Sequence, residues 1–188
     1  MAYKVYIDQG HNPQNPNAGA EGNGYREQDL TYEIGRLTAL YLEELGVEAK
    51  LSRPTPETQL GSSIGTSLQA RVSEANAWGA DYFISLHANA SDITSASGSE
   101  SYVFSSSSAA YPLAEDILKW LNISTGLPNR GVFSRPSLYV LRRTAMPATL
   151  IELGFITNPY DAALMAERPD LFANGVANGV VDFLGIMR

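Results

Sequence analysis

Asp81-Tyr82-Phe83-Ile84-Ser85-Leu86-His87-Ala88-Asn89-Ala90 is the stretch on which the fold turns. Asp81 to Leu86 is a near-continuous apolar run, the composition of a strand covered on both faces, as strands in parallel sheets are. A helical pattern precedes it. From about Ser67 to Trp78, Leu68, Val72 and Ala75 fall on one side, and Gly79 stops the pattern. Further toward the N-terminus, Tyr3 to Asp8 reads as a strand ending near Gly10, and Val47, Ala49 and Leu51 alternate as another. Between them Leu30, Ile34, Leu37, Tyr41 and Leu45 line one face of a helix over Gln28 to Leu45, with Gly46 to cap it. Pro54 opens a loop rich in Gly and Ser that lasts to about Thr66.

Toward the C-terminus the alternation continues. Ser91 to Ser97 is small and polar, hence a loop. Glu100 to Phe104 reads as a strand, Ala109 to Leu121 as a helix, and Leu138 to Leu141 and Thr149 to Leu153 as short strands. Asn158-Pro159 is a helix start, and a last helix covers about Leu171 to Ile186. Strands alternating with helices predict an α/β fold: one domain over residues 1–188, with a mostly parallel twisted sheet of about six strands and helices on both faces. In such sheets ligands bind outside the carboxyl ends of the strands.

The composition excludes several classes of function. The 188 residues carry 13 Lys and Arg against 20 Asp and Glu, a net charge of −7. This argues against a nucleic-acid partner, which requires clustered cations. No apolar run is long enough to span a bilayer, and no signal peptide is visible at the N-terminus. The chain has no cysteine, so thiolate metal sites and cysteine nucleophiles are excluded. No Walker A motif, complete dinucleotide loop or Gly-x-Ser-x-Gly elbow occurs.

Only two histidines exist, and both follow strands: His11 after the first, His87 at the end of the apolar one. Two carboxylates also lie at element ends. Glu27 opens the first long helix, and Glu152 sits inside the apolar run Ala148-Thr149-Leu150-Ile151-Glu152-Leu153-Gly154-Phe155. A carboxylate there is costly unless paired, metal-bound or facing a cavity. Singly each has an ordinary explanation: a hydrogen-bonded histidine cap, a carboxylate favoured by a helix N-terminus, or a pair with Arg142 or Arg143. Together they suit zinc, which takes two imidazoles and one carboxylate and keeps an open position for water, whose pKa falls to about 7. The other carboxylate then serves as general base and acid. Spacing does not decide which of Glu27 and Glu152 is the ligand. Arg53, Arg71 and Arg130 are candidates to clamp an anionic substrate.

Several blocks in order then match a family. Ile84 to Ala90, Met146-Pro147 through Asn158-Pro159, Leu68 to Asn76, and Asn129-Arg130-Gly131-Val132 resemble the zinc-dependent N-acetylmuramoyl-L-alanine amidases of the Amidase_3 type, over Val5 to about Leu184. The resemblance implies Zn²⁺ as cofactor, with His11, Glu27 and His87 as ligands and Glu152 as catalytic glutamate. It implies hydrolysis of the amide between N-acetylmuramic acid and L-alanine of peptidoglycan. Asn89, Arg71 and Arg130 are expected to contact the substrate. The first block departs from the usual Asp-Pro-Gly-His-Gly-Gly, having Gln9 for proline and Asn12-Pro13 for the glycines. The alternatives are a zinc peptidase cutting within the stem peptide, or an inactive peptidoglycan-binding module. The short stretch from Ser91 to Gly98 leaves no room for the inserted helix that plugs the site in some relatives, so an open groove is expected. The substrate lies outside the membrane. A trimmed chain or release by a phage lysis system is therefore expected, and a separate wall-binding domain in a longer native chain is plausible given the charge of −7.

Overall fold

The computed structural model describes residues 2–186. Along the chain run β1 (Lys4–Gln9), β2 (Glu21–Gly22), β3 (Tyr25–Arg26), α1 (Glu27–Glu44), β4 (Glu48–Leu51), α2 (Ile64–Trp78) and β5 (Tyr82–Asn89). There follow β6 (Ser99–Val103), α3 (Ala110–Thr125), β7 (Asn129–Ser134), α4 (Tyr139–Arg143), β8 (Ala148–Phe155), α5 (Pro159–Glu167) and α6 (Pro169–Leu184). Six strands form one sheet in the order β4-β1-β5-β8-β6-β7. β4, β1, β5 and β8 are mutually parallel. β6 runs antiparallel to β8, and β7 parallel to β6. β2 and β3 make a separate two-stranded ribbon.

The expected single α/β domain with a mostly parallel six-stranded sheet is therefore observed. Alternation along the strands sorts side chains to two faces. Val5, Ile7, Ile84, Leu86, Ile151 and Leu153 point to the face covered by α1, α3 and α6, where Leu30, Ile34, Leu113, Ile117, Phe172 and Val176 complete the larger core. Each such buried side chain contributes roughly 1.5–3 kcal/mol by leaving water. The opposite face carries Tyr6, Phe83, Tyr102, Ala148 and Leu150 under α2 and α4, a smaller cluster.

Several elements differ from the sequence-based expectation. Leu138 to Leu141 is not a strand; Tyr139–Arg143 forms a helical turn that buries Val140 and Leu141 against the smaller core. A short apolar run cannot be told from a helix by periodicity alone. The sixth strand is instead Asn129–Ser134, a partly exposed edge strand whose Gly131 has φ of 102°. α2 starts at Ile64 rather than Ser67, because Ser63 caps it: the Ser63 hydroxyl accepts from the Thr66 amide while Thr66 Oγ1 accepts from the Ser63 amide. The Asn158 cap is observed, its side chain accepting from the amides of Tyr160 and Asp161.

Candidate active site

The end of β1 and the start of α1 bring the first two candidate ligands to β5. β1 delivers Gln9 beside Leu86 in register, and the chain then turns through Gly10 and His11. Gly10 donates its amide to the Leu86 carbonyl at 2.9 Å. A Cβ at Gly10 would lie 2.5 Å from the Leu86 carbonyl oxygen and 2.7 Å from His87 Nε2, so only glycine permits this approach. Gly19 is constrained likewise, with Glu27 Oε2 at 2.8 Å and His11 Cδ2 at 2.9 Å from its would-be Cβ. His11 itself adopts φ of 68°, a left-handed conformation that costs a non-glycine residue roughly 1–2 kcal/mol.

Arg71 on α2 supports that turn. It is 1% exposed. Its Nη1 donates to Asp8 Oδ1 at 2.6 Å and to the Gln9 carbonyl, and its Nη2 donates to the His11 carbonyl and to Asn12 Oδ1 at 3.2 Å. Ser85 donates to the other Asp8 oxygen at 2.7 Å. Burial opposes ionisation of Asp8, but the charge and hydrogen bonds of Arg71 and Ser85 hold its carboxyl below the usual carboxylate range. Arg71 thus holds the backbone of the ligand loop, and it also lines the cavity beside His11 and His87. Arg53, another candidate clamp, is 1% exposed, and its guanidinium donates to the Gln28 and Pro56 carbonyls.

Around the turn His11, Glu27 and His87 converge, with one donor atom from each lying within 4.8 Å of the others. Glu27 Oε1 is 3.1 Å from His11 Nε2 and 3.0 Å from His87 Nδ1. The imidazole rings meet edge to face at 4.8 Å. Glu27 is buried, and its carboxylate also accepts from the Ala88 and Ala20 amides. Burial opposes its ionisation, yet the hydrogen bonds and charge of His11 and His87 hold it well below the usual carboxylate range. Metal–ligand bonds of about 2.0–2.2 Å in a tetrahedron require donors a little over 3 Å apart. Two imidazoles and an ionised carboxylate at this spacing fit a divalent cation such as zinc. Beside them lies a cavity of about 130 Å³, lined by His11, His87, Leu68, Tyr139 and Leu150 among others.

Glu152 stands apart from this trio. It pairs in register with His87 on one side and with Glu100 on the other. Its Oε2 is buried without a hydrogen-bond partner, so neither Arg142 nor Arg143 neutralises it. Burial, reinforced by the charges of Glu27 and Glu100, pushes its carboxyl up to about 8. A buried carboxyl group with an unpartnered oxygen beside such a donor cluster has the character of a proton carrier. The β5–β8 register shifts between His87 and Asn89, where Phe155 comes opposite Asn89, and such a bulge re-aims side chains beside a site.

Asn89 and Arg130 both reach Glu100, a residue absent from the sequence-based candidates. Asn89 Nδ2 donates to Glu100 Oε1 at 2.9 Å, Arg130 Nε donates to Oε2 at 2.8 Å, and the Tyr102 hydroxyl also donates to it. Glu100 is 8% exposed. The sequence offered one available signal for it: an acid in a strand-like run, the same signal that singled out Glu152. The loop between β5 and β6 is short and contains no helix, so nothing in it covers the donor cluster.

An α/β sheet that brings a His-Glu-His group able to hold a metal ion to one rim, with a glutamate on the adjacent strand, has the makings of a hydrolase site. The N-acetylmuramoyl-L-alanine amidase family model matches residues 5–182, and the chain belongs to that family. Its members are hydrolases acting on peptidoglycan. The chain is 35% identical over 183 residues to N-acetylmuramoyl-L-alanine amidase LytC of Bacillus subtilis, covering 95% of this chain and 35% of LytC. It is 35% identical over 186 residues to N-acetylmuramoyl-L-alanine amidase CwlM of Bacillus licheniformis, covering 94% of this chain and 67% of that protein. The structure of amidase AmiC2 of Nostoc punctiforme matches with a TM-score of 0.84 at 32% identity, over 97% of each chain. The chain thus spans about a third of one of these relatives and two thirds of another.

Proposed function

We propose that residues 1–188 form one catalytic domain that hydrolyses the amide between N-acetylmuramic acid and L-alanine, with His11, Glu27 and His87 holding zinc. The observation that carries this is the convergence of those three donors with Glu152 on the adjacent strand. When bound, zinc supplies a Lewis acid that polarises the scissile carbonyl and activates water. Gly10, Gly19 and the buried Arg71 hold His11 and Glu27 in place. Glu152 Oε2, with no protein partner, takes a proton from the attacking water and delivers it to the departing L-alanine nitrogen. The open rim admits a glycan strand without any element of this domain having to move.

The domain acts on the cell wall, outside the membrane. A wall-binding region in a longer native chain fits both the −7 charge, which does not favour approach to an anionic wall, and the greater length of LytC. Metal analysis and mass spectrometry of digested wall test the roles together. Glu152→Ala is expected to keep stoichiometric zinc and lose nearly all turnover, whereas Glu27→Ala loses the metal. Zinc loss with Glu152→Ala, alongside an active Glu27→Ala protein, would reverse the two roles. New L-alanine N-termini are the expected product; cuts inside the stem peptide would make the enzyme a peptidase instead.

A further inference from the structure

We propose that Arg135 forms a carboxylate-binding subsite of the groove, taking a carboxylate of the stem peptide about two to three residues from the scissile amide. The proposal rests on the amidase reaction above and concerns what that reaction selects. Arg135 lies in the connection from β7 to α4, exposed, with its guanidinium carbon 4.7 Å above the centre of the Tyr102 ring. Its backbone is fixed at both ends: the amide donates to the Val103 carbonyl at 2.8 Å, and the carbonyl accepts from the Leu138 amide at 3.2 Å. Tyr102 is itself anchored through its hydroxyl to Glu100, so the platform beneath the cation is rigid. Phe133, 46% exposed and 6.4 Å from Tyr102 between ring centres, extends that platform.

Three acids stand at or next to the donor cluster: Glu27 within it, Glu152 opposite His87, and Glu100 opposite Glu152. Arg130 already pairs with Glu100. Among the described residues no carboxylate lies within ion-pair distance of Arg135. Glu152 pairs with Glu100, and Tyr102 lies two residues further along the same face of β6. One strand spacing and two residues along a strand amount to roughly 8 Å, the span of about two to three extended residues. A guanidinium stacked on an aromatic ring keeps its donor fork pre-organised for a carboxylate.

The probes are muramoyl dipeptides and tripeptides with free carboxylates, and the same molecules with every carboxylate amidated. For the free forms Arg135→Ala is expected to raise KM about tenfold with kcat nearly unchanged, and Arg135→Lys to restore part of it. The amidated forms should respond little. An effect that first emerges with the tripeptide places the carboxylate on the third residue. Equal effects on both forms, or none, would overturn the subsite. Calorimetric binding of the same probes to zinc-loaded Glu152→Gln protein reads the subsite without turnover. Tighter binding of the free form, lost with Arg135→Ala, supports it even where the amidase assignment fails, and indifference to amidation refutes it even where cleavage is efficient.

Discussion

The two faces of the central sheet are built from the same strands and do opposite things. On one, Ile7, Ile84, Leu86 and Ile151 disappear beneath α1, α3 and α6 with no exposed surface. On the other, their neighbours Asp8, Ser85, His87 and Glu152 are polar; His11 and Glu27 join His87 there from the turn after β1 and the start of α1, and a cavity lined by residues of α2 and α4 opens beside them. Because strand side chains alternate, one residue step separates core from chemistry. The closed face supplies the stability; the open face holds charges that are individually costly and must be tied to one another.

That division is open to direct attack. Arg71→Met leaves Asp8 buried with Ser85 as its remaining side-chain partner, and breaking such a pair typically costs about 3–5 kcal/mol. Ile84→Ala on the closed face costs a comparable 2–5 kcal/mol. Urea unfolding should therefore place the two variants close together, while zinc affinity separates them. Arg71→Met releases the His11 carbonyl and weakens metal binding; Ile84→Ala leaves the folded fraction able to bind normally. Unimpaired zinc affinity in Arg71→Met would break the comparison.

A smaller effect concerns pH in the metal-free protein. The folded carboxyl of Glu152 titrates near 8, far above its ordinary value of 4.5, so between those values the native state holds a proton that the unfolded chain has lost. Stability is then highest below the unfolded value and falls as pH rises toward 8. Asp8 and Glu27 are shifted the other way, and their contribution is lost in acid. Glu152→Gln should flatten the alkaline decline and leave the acid limb intact. Zinc should flatten it too, since a nearby cation favours the ionised form. Thermal unfolding from pH 4 to 9, with and without metal, measures both.

The sequence displays the first of these faces more openly than the second. β5 and β8 are legible because a strand buried on both sides must be apolar, and a histidine and a glutamate interrupting such strands stand out against that background. Glu27 is legible only as a helix start. Its partnership with His11 and His87 depends on a turn whose His11 sits at positive φ, which no local pattern announces. Arg71 is hidden for a related reason: an arginine on an amphipathic helix is ordinarily exposed, and only tertiary structure reveals that this one is enclosed. β7 was obscured by its exposed, polar edge, and α4 by being a single apolar turn. Glu100 escaped because its strand is short and its ties to Asn89 and Arg130 come from distant segments.

The smallest expected effect tests how the open face is held together. α6 buries eight residues and has no side-chain bond at its N-cap; packing, with Asp182 accepting from Lys119 and Trp120 of α3, holds it. α2 buries only Ser67, Arg71, Val72 and Ala75, and begins with the reciprocal bonds of Ser63 and Thr66. A helix with so narrow a buried stripe depends more on its cap. Ser63→Ala should cost about 1 kcal/mol by denaturant unfolding, with zinc content and turnover unchanged. The cap lies on the exposed end of α2, one turn before Ser67, which accepts from Asn17 at 3.1 Å. A loss of zinc with Ser63→Ala would mean that the helix start, and not Arg71 alone, sets the position of the ligand turn.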